Sequence, residues 1–176
     1  MSLIAKDPTR IPRHLVEGLP PDARVIWKMD LLWRIFGQPI TEKFPDTLWT
    51  EGYRPPARHD RMRTDPLYAN KVAKNLGQHP FCEALDGDHP DRNMLMAIFR
   101  WAHIHLPWHQ LFVYFRVPRH PKGLGESFHI SMLGEFRDIK EKAQYQIAVP
   151  DPARPGKYKF RWYLYDGTFQ HLPKVA

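Results

Sequence analysis

Two runs of strict alternation, 111–117 and 127–133, flank a basic connector rich in proline and glycine, the pattern of a β-hairpin with a long loop. Side chains alternate across a strand, so Leu111, Val113, Phe115 and Val117 share a face with Phe128, Ile130 and Met132. Phe112, Tyr114, Arg116, His129 and Ser131 are left for the opposite face. Two further strands are expected, 144–149 and 157–165, separated by a Pro/Gly-rich turn. In the last strand Tyr158, Phe160, Trp162 and Leu164 form one set, and Lys157, Lys159, Arg161, Tyr163 and Tyr165 the other. The second set is expected to join Phe112, Tyr114, Gln144 and Gln146 on a polar-aromatic face.

Upstream, the apolar period changes to that of helices. Val25, Ile26, Met29, Leu32, Trp33 and Phe36 recur every three or four residues, which predicts a helix over 23–36 stopped by Gly37 and Pro39. Trp27 and Leu31 stand on its charged side. Either the helix is buried on two sides, the favoured reading because large aromatics are usually core, or these residues form a partner surface. A second helix is predicted over 66–76, with Asp65 as cap, Pro66 in the first turn and Gly77 after its end. A third runs over 91–105, placing one of His103 and His105 at the core edge and the other near solvent.

Between these elements periodicity lapses. Residues 1–21, with Pro8, Pro12, Pro20 and Pro21, read as an extended arm, and 38–64 as an ordered loop held by Phe44, Leu48, Trp49 and Tyr53. The organisation expected is one α+β domain over 1–176. Its helical part at 22–105 packs on one face of an antiparallel sheet of about four strands built from 106–176.

Composition bounds the chemistry. The chain has 26 Lys+Arg against 19 Asp+Glu, a net charge of +7, which makes a polyanion the natural partner. With one cysteine, Cys82, no intrachain disulfide forms, and a reducing, cytoplasmic setting is expected. No apolar run reaches membrane-spanning length, and no signal-like segment opens the chain. Residues 78–89 hold His79, Cys82, Asp86, Asp88 and His89, but their spacing matches no zinc or calcium pattern, so neither metal nor cofactor is expected.

Three functions follow. The first is binding of nucleic acid, single-stranded or RNA, by Phe112, Tyr114, Arg116, Lys159, Arg161 and Tyr163. A proline-stiffened loop carrying Arg54, Arg58, Arg61 and Arg63 would assist, since arginine grips phosphate in bidentate fashion. The alternative is a protein-interaction subunit or inhibitor that uses Trp27 and Leu31. The third is metal-independent RNA cleavage, with His129 and Tyr114 moving protons and Arg161 steadying the phosphorane. His129-Ile130-Ser131 is similar to one half of the paired His-x-Ser/Thr signature of two-histidine phosphoesterases, whose second half is missing. No phosphate-binding glycine loop or nucleophile elbow occurs.

Overall fold

Asp22 opens the first helix by accepting the backbone N–H groups of Arg24 and Val25. In this computed structural model, which describes residues 7–64, 78–117, 126–134, 142–156 and 158–172, α1 spans Ala23–Leu32. The helical path does not stop at Gly37. It passes through a π-type turn, Trp33–Gly37, into α2, Gln38–Lys43, with Pro39 in the first turn of α2. The reason is packing: the Trp33 ring occupies the space a Cβ on Gly37 would need. Glycine here makes room for a buried indole, where the sequence suggested a terminator.

The stretch expected to be irregular contains β1, Leu48–Glu51, and α3, Pro56–Thr64. Of its expected anchors Trp49 is fully enclosed, Phe44 and Tyr53 nearly so, and Leu48 half-buried. The predicted arm is held down by Leu15, fully buried within a short 3-10 turn. β2, Ala84–Asp88, follows another 3-10 turn at His79–Phe81. α4 spans Arg92–His105, capped by Asp91, and buries Leu95, Ile98, Phe99 and Ala102. Of the two histidines, His103 is the half-buried one and His105 the exposed one. The helix predicted over 66–76 and residues 135–141 lie outside the described residues.

Four further strands complete the sheet: β3, Gln110–Arg116, β4, Ser127–Ser131, β5, Lys142–Pro150, and β6, Tyr158–Leu164. The fold is α+β, but its sheet has six strands in the order β1-β2-β4-β3-β5-β6 and is mixed, because β3 and β5 run parallel. The expectation of about four antiparallel strands missed β1 and β2, which are short and carry little alternation. Leu85, Leu111, Val113, Phe128, Ile130 and Tyr145 line one face, against which α4 packs. No helix among the described residues is long and apolar enough to cross a membrane.

Register reverses the faces assigned to the last strand. Tyr145 and Ile147, buried on the helix side, pair with Tyr163 and Arg161. Lys159, Arg161 and Tyr163 therefore lie on the helix side, and Tyr158, Phe160, Trp162 and Leu164 join Phe112 and Tyr114. A one-residue change of register exchanges the two faces of a strand. The tail enforces this arrangement: Phe169 packs on Phe99, Phe115 and Tyr145, and His171 stacks on Tyr163 at 4.2 Å. Trp27 is also displaced from its favoured reading, since it is 58% exposed and Leu31 is half-buried.

Gly87 sets how the first strands meet. A Cβ there would fall 2.5 Å from the Phe128 ring, and Gly87 is the cross-strand partner of both Trp49 and Phe128. Without a side chain between them, those two rings meet edge to face at 5.7 Å. Gly87→Ala is expected to cost about 1–3 kcal/mol in urea denaturation through overpacking. Adding Phe128→Leu should cost less than the sum of the single effects; strict additivity would show that the ring does not fill this gap.

Candidate functional site

The opposite face of the same three strands carries charge. β2 and β4 pair Asp86 with His129, β3 and β4 pair Phe112 with His129, and β1 and β2 pair Glu51 with Asp86. Glu51–Asp86–His129–Phe112 thus forms one row across the sheet. Glu51 joins it only because the register shifts between Trp49 and Glu51, leaving Thr50 as an extra residue. Regular alternation would put Glu51 in the core beside Trp49.

Asp86 is the hub. Its Oδ1 lies 2.8 Å from His129 Nδ1 and 3.2 Å from His79 Nε2, and its Oδ2 lies 3.9 Å from the Arg54 guanidinium. Arg54 is buried and paired with Glu51, whose other oxygen lies 3.4 Å from Arg58. His79 is brought in by the 3-10 turn before β2. Its Nδ1 donates to the Gly52 carbonyl at 2.8 Å, and its own carbonyl accepts from Cys82 and Arg54. Cys82 closes this turn in the left-handed region, at φ 54°, redirecting the chain into β2. His129 Nε2 faces Gln78 Oε1 at 3.2 Å, while the Gln78 amide donates to Ser131 Oγ at 2.8 Å. A cavity of about 290 Å³ opens beside Asp86, lined also by Thr50, Glu51, Arg58 and Met62.

These surroundings shape the titrations. Burial opposes charge on His79, but the Asp86 carboxylate outweighs it and raises the histidine above its ordinary value. His129 is driven down by burial, with the nearby His79 and Arg54 cations adding to the effect against its bond to Asp86. Asp86 resists the upward pull of burial because His79 and His129 hold it ionised well below the usual carboxylate range. Burial, reinforced by Asp86, raises the Tyr114 phenol, which therefore stays protonated as a donor. The Cys82 thiol, buried and pushed up to about 12, is a packing group as the sequence suggested.

The predicted residues divide accordingly. Phe112, Tyr114, Arg116 and His129 share the open face. Trp162, assigned to the core by sequence, sits among them, 5.4 Å from Phe112 and 5.6 Å from Tyr114. Arg116 lies over Tyr158 at 4.3 Å, and Lys142 over Phe112 at 5.3 Å. The trio proposed for RNA cleavage is not assembled, because Arg161 is on the other side of the sheet from His129 and Tyr114. The arginine segment is a helix, where a stiff loop was expected. Arg54 is internal, Arg58 is partly exposed, Arg61 is exposed, and the Arg63 side chain lies outside the described residues. His79 and Asp86 were missed as a pair because the register that joins them to His129 is not visible in one sequence.

Charge on His79 stabilises the fold below the ordinary histidine value of about 6.5, and this contribution is lost as pH rises through its raised value. The effect of His129 is opposite: stability falls as pH drops through about 6.5, because the folded state disfavours its charge. In chelator-treated protein, histidine NMR should resolve His79 titrating above His129. Asp86→Asn should lower His79, since burial and the Arg54 charge then act against Glu51 alone; an unmoved His79 would refute the assignment of Asp86 as hub. No protein-family model, curated protein or solved structure matches the chain, so the role of this site rests on its own geometry.

Proposed function

We propose that the protein binds nucleic acid, single-stranded or RNA, on the open face of its sheet. One observation carries this reading: Trp162 keeps 45% of its surface exposed while its ring rests edge-on against both Phe112 and Tyr114. A buried tryptophan would need no further account. One exposed beside two other rings offers a stacking surface for bases, and Arg116 and Lys142 stand close enough to meet the phosphates between them. The net charge of +7 supplies the long-range attraction. Lys159, Arg161 and Tyr163 are not part of this surface, and neither is the buried Arg54.

A protein-binding role for α1 is supported separately by Trp27, 58% exposed, beside Ile26, 49% exposed. Trp27→Glu distinguishes the two surfaces, since it should leave nucleic-acid affinity unchanged.

The test is fluorescence anisotropy with labelled single-stranded RNA, single-stranded DNA and duplex DNA across a salt series. Trp162→Ala and Phe112→Ala should each cost about 1–3 kcal/mol of single-strand affinity. Arg116→Gln should reduce the salt slope by about one. Equal, weak binding to all three nucleic acids, lost at physiological salt, would refute the proposal.

A further inference from the structure

We propose that His79, Asp86 and His129 form a binding site for one divalent first-row transition-metal ion, with His79 Nε2, His129 Nδ1 and an Asp86 carboxylate oxygen as ligands. The inference is independent of the nucleic-acid reading.

Hydrogen bonding supplies the reason. The outward nitrogen of each ring faces a fixed acceptor: His79 Nδ1 meets the Gly52 carbonyl at 2.8 Å, and His129 Nε2 meets Gln78 Oε1 at 3.2 Å. The Met132 carbonyl, 3.4 Å from the Gln78 amide nitrogen, favours this orientation of the amide, and Ser131 Oγ at 2.8 Å accepts from it. A neutral imidazole has one N–H, and a ring that gives it outward turns the lone pair of its other nitrogen inward. The inward nitrogens, His79 Nε2 and His129 Nδ1, converge on the same oxygen, Asp86 Oδ1, at 3.2 and 2.8 Å. A proton on an inward nitrogen and a metal ion are alternatives at this position, so an ion binds by displacing such protons. A single divalent ion accepts all three donors.

The donor set and its supports agree with this. Two imidazoles and a carboxylate select zinc, iron, cobalt or similar ions over magnesium and calcium, which prefer all-oxygen shells. Histidine ligands characteristically give their second N–H to a carbonyl, as both rings do here. The three ligand atoms lie within 4.8 Å of one another. Ligands around a tetrahedral ion at about 2.0–2.2 Å are separated by roughly 3.3 Å, so on binding the shortest contact opens by about 0.5 Å and any wider pair closes. Arg54 does not forbid the ion, because it is paired with Glu51; with Arg58 on the other Glu51 oxygen, the two carboxylates and two guanidiniums sum to zero. The cavity beside Asp86 gives an entry path and room for a further ligand.

The experiment uses the full chain without a histidine tag, stripped by chelator and titrated with Co²⁺ followed by visible absorption, and with Zn²⁺ followed by calorimetry. One ion per chain is expected. Proton NMR of the Co²⁺-loaded protein should show two hyperfine-shifted exchangeable ring N–H signals, from His79 Nδ1 and His129 Nε2. His79→Ala and His129→Ala should abolish saturable binding, and Gln78→Leu should weaken it about 10–100-fold, with circular dichroism unchanged. Should the histidine variants unfold, the wild-type NMR decides. No saturable binding, binding without the two shifted signals, or folded histidine variants that bind like wild type would each overturn the site.

Discussion

A missing side chain at Gly87 governs how the first half of the sheet is assembled. Trp49 and Phe128 come from strands on either side of β2, and their rings touch only because nothing projects from β2 between them. Trp33 then packs edge-on against Trp49 at 5.3 Å, tying the π-type turn after α1 to the same cluster. Opposite faces of a strand are rigidly related. Once Trp49, Gly87 and Phe128 are fixed on the core side, Asp86 and His129 are fixed on the other. The aromatic cluster thus sets the separation of groups it never touches.

The charged row is not explained by stability. Burying ionised side chains carries a desolvation penalty that their mutual attraction only partly offsets, and an apolar replacement of similar volume is often no worse. Here His79, Arg54 and Glu51 are all buried, and Asp86 touches three of the groups around it. A left-handed cysteine and a register shift, each locally unfavourable, are retained at its border. Elements that serve only packing do not require either feature. Both features border the same carboxylate, Asp86.

What was legible in the sequence, and what was not, divides along the range of the interactions. Period-two alternation located β3 to β6, and period-3.6 recurrence located α1 and α4, because these signals are local. β1 and β2 were lost because a four-residue strand with a register shift and a five-residue strand interrupted by glycine have too little alternation to detect. In β6 the alternation was correct but the choice of face was not. Trp162 and Leu164 are more apolar than Lys159 and Arg161, yet the pairing with Tyr145 and Ile147 decided the orientation. Half of the site, Phe112, Tyr114 and His129, could be read from the hairpin. The other half, His79 and Asp86, required a pairing between β2 and β4 that no local pattern announces.

Phe112 belongs to both surfaces. It stacks on His129 at 5.6 Å with an interplanar angle of 18° and meets Trp162 edge to face on its other side. The aromatic platform and the charged centre are therefore neighbours sharing one wall. Arg116 and Lys142 place positive charge beside the platform, whereas Glu51 and Asp86 are balanced by Arg54 and Arg58 before either histidine is counted. A strand of nucleic acid drawn to Trp162, as proposed above, would gain no net attraction from those four groups as it approached β2. A divalent ion held at the proposed centre by His79, Asp86 and His129 would add positive charge there and extend the attractive face from β6 to β2, so that its occupancy would set how much of the sheet a polyanion could cover.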